Sequence, residues 1–167
     1  FSKIWQTCVG SGHAALGLRS DWQEHLRFVH EELGFRYVRF HGLLTDDMKV
    51  MVSLKDFISF APKIAVTVSF YQIDLLFDYI LKIGMKPFVE LSFMPRILAS
   101  GKRTVFYYKG NITPPKKFKK WAELIKSLVS HLIERYGNNE IESWFFEIWN
   151  EPNLKVFWAS SQKKYFK

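Results

Sequence analysis

The chain has 167 residues, of which 48% are hydrophobic and 17% aromatic, a composition that excludes a disordered chain. Its 24 Lys and Arg against 16 Asp and Glu give a formal charge of +8. The lysines gather near residues 116–120 and 163–167 without a nucleic-acid-binding motif, which favours a solvated basic face over a polyanion site. No apolar run reaches the roughly 18 residues of a membrane span, because Lys63 interrupts the longest one. We therefore predict neither a nucleic-acid nor a membrane partner.

Cys8 is the single cysteine, so the chain forms no internal disulfide, and its apolar neighbours predict a buried thiol. The first residue is Phe1 and no signal sequence is visible, from which we expect the natural amino terminus to lie upstream. The compartment stays open, with the cytoplasm favoured.

Predicted strands and helices alternate along the first half of the chain. The apolar run "IWQTCV", residues 4–9, predicts a buried strand that ends in a "GSG" loop. Residues 21–33 predict an amphipathic helix that ends at Gly34, because apolar side chains recur there at spacings of four, three and four. "RYVRFHG", residues 36–42, predicts the second strand.

The same alternation continues in the second half. Residues 73–84 predict a helix, "KPFVELSF" a third strand, residues 119–136 the most regular helix, and "SWFFEIW" a fourth strand. Residues 48–68 are the least regular segment and predict an insertion or a β-hairpin. Residues 99–115 predict a long loop rich in aromatic side chains.

This βαβαβαβ order requires parallel strands with helical crossovers, in either a doubly wound sheet or a (β/α)₈ barrel. A complete barrel typically needs about 250 residues, so residues 1–167, as a single domain, could hold only about half of one. Polar residues follow each strand, at the edge where both folds build their sites. They are residues 10–13, Arg39, His41, Glu90, Ser92, Asn150 and Glu151.

"GSGHAA", residues 10–15, formally matches a dinucleotide-binding fingerprint. The helix begins only near Ser20 or Asp21, however, so no helix amino terminus lies over a pyrophosphate. The second strand also lacks a terminal acidic residue for a ribose. The five histidines are not spaced as metal ligands. We therefore predict no cofactor and no metal.

In "WNEPN", residues 149–153, Glu151 stands between Trp149 and Pro152 at the end of a predicted strand. A carboxyl group held partly out of water favours its protonated form, which is what a general acid requires. The adjacent Asn150 could donate an amide hydrogen bond to a ligand hydroxyl. Alternatively, Glu151 caps the following turn and Asn150 bonds its own backbone.

Four stretches in order resemble glycoside hydrolase family 39, the family of bacterial β-xylosidases and α-L-iduronidase: "RYVRFHGLLTDD", "GMKPFVELSFMPRILASG", "VFYYKGNITPPKKFKKWAELIKSLVSHLIERYG" and "WFFEIWNEPN". The resemblance covers nearly the whole chain and favours the xylosidase branch. It implies a retaining (β/α)₈ glycosidase that acts on a small carbohydrate, such as a xylo-oligosaccharide, without a cofactor.

The resemblance also implies roles for individual residues. Glu151 would be the general acid/base, and Asn150 would bond the sugar 2-hydroxyl. His41 would line the sugar site unless it is a core histidine. Arg39 would support the nucleophile unless it belongs to a structural ion pair.

Further roles are expected around these residues. Phe93 and Trp149 are candidates for stacking on the sugar, as is Trp158 unless it belongs to the core. Glu90 would support the site from behind, and Glu147 would be structural.

A retaining glycosidase needs a second carboxylate as nucleophile, which the family supplies from the seventh strand. No Asp or Glu follows Glu151 here. We therefore expect this chain alone to be inactive, and its open sheet edge to make it marginally stable or self-associating as a homo-oligomer. Two alternatives remain: a non-catalytic sugar-sensing domain of the same fold in a regulatory protein, and an unrelated α/β binding protein.

Overall fold

The computed structural model describes residues 2–53 and 66–166. Within these ranges the helices are α1 (Ser20–Leu33), α2 (Tyr71–Lys82), α3 (Phe118–Tyr136), α4 (Asn138–Ile141) and α5 (Gln162–Tyr165). The strands are β1 (Cys8–His13), β2 (Tyr37–His41), β3 (Met51–Ser53), β4 (Val66–Val68), β5 (Lys86–Glu90), β6 (Thr104–Val105), β7 (Gly110–Asn111) and β8 (Phe145–Glu147).

Four strands form a parallel sheet in the order β1-β2-β5-β8. Each joins the next strand of the sheet through a helical crossover, which confirms the prediction of an α/β protein with parallel strands. In the register, Arg39 of β2 pairs with Phe88 of β5, and Glu90 of β5 pairs with Glu147 of β8. The carboxyl ends of the strands therefore meet at one edge of the sheet.

Buried and partly exposed side chains alternate along β2. Val38 and Phe40 are buried, whereas Tyr37, Arg39 and His41 are partly exposed. Because successive strand residues point to opposite faces, Arg39 and His41 share the face opposite the one that carries Val38 and Phe40. The helices bury a stripe of apolar side chains in the same core, namely Leu26, Ile73, Leu76, Phe77, Ile80, Leu124, Leu128 and Leu132.

The start of the first strand differs from its prediction. Ile4–Thr7 form a short 3-10 helix, and the strand runs from Cys8 through the "GSG" stretch to His13. The register shifts between Gly10 and His13, so the glycines form an irregularity within the strand rather than a loop after it. The prediction of a buried thiol is wrong, because Cys8 lies on an edge strand and is only partly buried. That partial burial raises its pKa, against the opposing charge of Arg39.

The predicted helices are confirmed to within two residues at either end. α1 ends where predicted because Gly34 adopts the left-handed conformation, with φ of 75°, and its amide donates to the carbonyl of His30 at 2.8 Å. β3 and β4 pair antiparallel, as a hairpin in this region requires, while residues 54–65 of the predicted insertion lie outside the described residues. The predicted aromatic loop contains the short hairpin β6–β7.

An ion pair joins α2 to α3 and should make stability depend on pH. Arg135 donates to Asp78 at 2.5 and 3.1 Å, and the Tyr136 hydroxyl donates to the same carboxylate at 2.8 Å. The Arg135 hydrogen bond lowers the pKa of Asp78. A carboxyl group with a lowered folded-state pKa stabilises the fold above its unfolded-state pKa of about 3.9, and that stabilisation is lost as the pH falls through the folded-state pKa.

We therefore expect Asp78→Asn to lower the free energy of unfolding by about 0.5–1 kcal/mol at pH 7, a small loss because solvent screens this half-exposed pair. The difference from the parent chain should shrink as the pH falls below about 4. Urea unfolding at pH 7 and at pH 3 measures it, with Glu32→Gln on exposed surface as the control. An equal loss at both pH values would contradict the assignment.

Candidate active site

Arg39 stands at the centre of a polar cluster that spans three strands. Its Nε donates to Glu147 Oε2 at 2.6 Å and its Nη2 donates to Glu147 Oε1 at 3.0 Å. The same Nη2 forms an ion pair with Glu90 Oε2 at 2.9 Å. Strands β2, β5 and β8 therefore each contribute one charged side chain to a single cluster near their carboxyl ends.

Asn150, three residues after the end of β8, joins this cluster. Its side chain is buried, and its Oδ1 accepts a hydrogen bond from Arg39 Nη2 at 2.9 Å. A guanidinium only donates hydrogen bonds, so the amide must present its oxygen to Arg39. The amide nitrogen Nδ2 has no acceptor among the described residues and faces away from Arg39.

Glu90 is fully buried and is surrounded by polar partners. His41 Nδ1 lies 2.6 Å from Glu90 Oε2, and the Ser92 hydroxyl donates to Glu90 Oε1. Together with Arg39, these contacts satisfy a carboxylate that would otherwise be costly to bury. Glu90 thus contacts both Arg39 and His41, and its role in supporting a site stays a prediction.

Arg39 remains a cation in this setting. Burial acts to lower its pKa, but the hydrogen bond to Glu147 and the negative charges of Glu90 and Glu147 outweigh burial, and the pKa is raised. One guanidinium is thus held between two carboxylates, with 24% of its own side chain exposed on the site face.

Phe93, Trp149 and Trp158 lie in the core. Their exposures are 0%, 4% and 3%, and Trp149 Nε1 donates to the carbonyl of Phe157 at 2.8 Å. Phe93 and Trp158 each meet the Trp149 ring at steep angles, with ring centroids 5.8 and 5.2 Å away. No ring face is open to a ligand, so the expectation that Phe93 and Trp149 stack on a sugar is not met, and the three rings support the strand end from within.

Phe106 is a partly exposed aromatic side chain beside the polar cluster. It lies in the turn between β6 and β7 with φ of 62°, is 44% exposed, and stacks on His41 with ring centroids 5.7 Å apart. The sequence indicated an aromatic loop but not which ring it presents. Only the fold-back of this hairpin brings Phe106 to the end of β2.

A second polar group lies at the end of β1, where the sequence placed His13 without giving it a role. His13 is buried, its Nε2 lies 2.5 Å from Asp47 Oδ2, and its ring stacks on Tyr108 at a centroid distance of 3.7 Å. Burial acts to raise the pKa of Asp47, but its hydrogen bonds, foremost that with His13, lower it overall. This pair ties the end of β1 to the segment that follows β2.

Glu151 follows Asn150 at the end of edge strand β8. It adopts a left-handed backbone with φ of 41°, and its side chain is exposed. The expectation that Trp149 and Pro152 hold it out of water is wrong, because Trp149 turns into the core and no described residue covers the carboxylate. The structure therefore gathers Arg39, His41, Glu90 and Asn150 into one cluster, with Glu151 accessible beside it.

Residues 2–53 and 66–166 contain neither a metal-binding cluster nor a membrane-spanning helix. No group of three or more His, Cys, Asp or Glu side chains there is arranged to hold a metal ion. None of the helices in these ranges is long and apolar enough to cross a membrane.

The fold is that of an α/β protein with a parallel sheet, and its polar cluster lies at the carboxyl ends of the strands, where such folds build their ligand sites. The model of glycosyl hydrolases family 39 matches residues 1–167, and the chain belongs to that family. This confirms the resemblance found in the sequence.

Several similar proteins are β-xylosidases. The chain is 55% identical over 168 residues to one from Caldicellulosiruptor saccharolyticus, covering 99% of this chain and 33% of the relative. It is 47% identical to a β-xylosidase from Geobacillus stearothermophilus, and the match covers 100% of this chain and 32% of that relative. The crystal structure of a monomeric β-xylosidase from Caulobacter crescentus superposes on this chain with a TM-score of 0.90 at 37% sequence identity. The superposition covers 99% of this chain and 32% of that structure. The chain thus spans about a third of the length of each.

Proposed function

We propose that this chain is the first half of the (β/α)₈ catalytic domain of a retaining glycosidase that releases terminal β-linked xylose from small oligosaccharides. The observation that carries the proposal is the juxtaposition of Asn150 and Glu151. An amide fixed by Arg39 with its donor side free stands next to an accessible carboxyl group. Family membership and β-xylosidase relatives support the same reaction class.

Glu151 is the general acid/base in this proposal. Its carboxyl group protonates the leaving glycosidic oxygen and then removes a proton from the water that attacks the intermediate. Its exposed position after the strand end lets a substrate reach it. The adjacent Asn150 offers Nδ2 to the sugar 2-hydroxyl, a contact that strengthens as the oxocarbenium-like transition state forms.

His41 and Phe106 form the wall of the sugar site. His41 is fixed through Nδ1 by Glu90, so its Nε2, which has no described partner, is available to a sugar hydroxyl. Phe106 presents a partly exposed aromatic face beside it, suited to the apolar face of a sugar ring. Substrate would thus lie between an apolar ring and a row of hydrogen-bonding groups.

The nucleophile is a separate carboxylate. A retaining glycosidase needs it about 5–5.5 Å from the acid/base. Glu90 and Glu147 are both held by Arg39, so neither is free to attack an anomeric carbon. We infer that the nucleophile comes from sequence outside these 167 residues and that the chain alone does not turn over substrate.

Hydrolysis of an aryl β-xyloside by the complete protein that contains this chain tests the proposal. We expect xylose to be released with its β configuration retained, which proton NMR of the first-formed sugar measures. The second candidate, a sugar-sensing domain, is favoured because Arg39 holds both carboxylates of the described polar cluster, Glu90 and Glu147. Saturable xylose binding without hydrolysis would select the sensor, and an inverted product would refute the retaining mechanism.

A further inference from the structure

Glu147 was predicted to be structural, yet it contacts Arg39 in the polar cluster through both of its carboxylate oxygens. Both of its oxygens accept from Arg39, at 2.6 Å from Nε and 3.0 Å from Nη2. This two-point contact fixes the plane of the guanidinium. Glu90, the other carboxylate, reaches only Nη2, so nothing else among the described residues holds Nε.

The plane of Arg39 in turn determines the orientation of Asn150. Nη2 donates to Asn150 Oδ1 at 2.9 Å, which leaves Nδ2 as the side of the amide that a ligand meets. A rotated guanidinium would release Oδ1 and allow the amide to turn over. The flipped amide would present an acceptor where a donor is required.

We propose that Glu147 is a positioning residue for recognition of the sugar 2-hydroxyl. Acting through Arg39, it holds Asn150 with its amide nitrogen towards the substrate. This inference rests on the proposed function, because it assigns the 2-hydroxyl as the group that Asn150 meets. It predicts that the effect of Glu147 depends on that hydroxyl.

Glu147→Gln in the complete protein tests this by comparing an aryl β-xyloside with its 2-deoxy analogue. Glutamine keeps the size of the side chain but has one acceptor and no charge. We expect kcat/KM on the parent xyloside to fall about 10- to 100-fold and kcat/KM on the 2-deoxy substrate to change less than about threefold. Asn150→Ala should show the same selectivity, and the double variant should lose little more than either single one.

The control is Glu134→Gln, at an exposed glutamate on α3, which should leave kcat/KM unchanged on both substrates. Equal losses on both substrates would overturn the inference by showing that Glu147 supports the fold alone. If Glu147→Gln does not fold, Glu147→Asp takes its place, because aspartate keeps the charge with a shorter reach. The same comparison of kcat/KM on the two substrates then decides. Unchanged activity in Asn150→Ala and Glu151→Ala would instead refute the proposed function.

Discussion

Glu151→Ala in the complete protein is expected to lower kcat/KM about 1,000-fold on a β-xyloside whose leaving group is a poor one, such as an alkyl alcohol. General acid catalysis contributes about 10²–10⁴-fold, and a basic leaving oxygen needs that proton most. An acidic leaving group, such as dinitrophenolate, departs without it. For such a substrate kcat/KM should stay within about tenfold of the parent value.

A series of aryl xylosides with leaving groups of graded acidity measures this effect. The slope of log kcat/KM against leaving-group pKa should be steep in Glu151→Ala and shallow in the parent protein. Glu142→Ala, an exposed glutamate in the loop before β8, is the control and should leave the slope unchanged. A uniform loss for every leaving group would refute the role of Glu151 as an acid.

Periodicity predicted the helices well because their apolar stripes are long and their ends carry glycine. Gly34 ends α1 where the sequence placed it. The first strand was predicted too early, since an apolar run of six residues fits a strand and a short helix equally well. Its continuation through Gly10 and Gly12 depends on pairing with β2, which no local pattern contains.

The site was partly predictable for a similar reason. Parallel strands bring their carboxyl ends together, so Arg39, His41, Glu90 and Asn150 could be placed at one edge from strand order alone. The accessibility of Trp149 and Glu151 could not be predicted, because it depends on which way each side chain turns at the strand end.

Glu147 and Phe106 needed three-dimensional contacts. Glu147 pairs with Glu90 only through the β5–β8 register, and its mid-strand position among aromatic residues suggested a structural role. Phe106 reaches His41 only because the β6–β7 hairpin folds back over the strand ends. Long-range pairing therefore supplied the residues that local sequence reasoning missed.

Arg39→Met is expected to destabilise the fold by about 3–5 kcal/mol, because it removes the cation from a buried ion cluster and leaves two carboxylates facing each other across β5 and β8. Glu90 is fully buried and cannot regain water, whereas Glu147 is 27% exposed and can be partly hydrated. Most of the loss should therefore come from Glu90.

Urea unfolding at pH 7 separates these contributions. If the cost is that of an unpaired buried charge, adding Glu90→Gln to Arg39→Met should restore part of the stability, and the two substitutions should be strongly non-additive. Arg27→Met is the matched control, because its pair with Glu31 is half-exposed on α1 and its loss should cost less than about 0.5 kcal/mol. A loss for Arg39→Met no greater than for Arg27→Met would show that Glu90 does not depend on Arg39 for its burial.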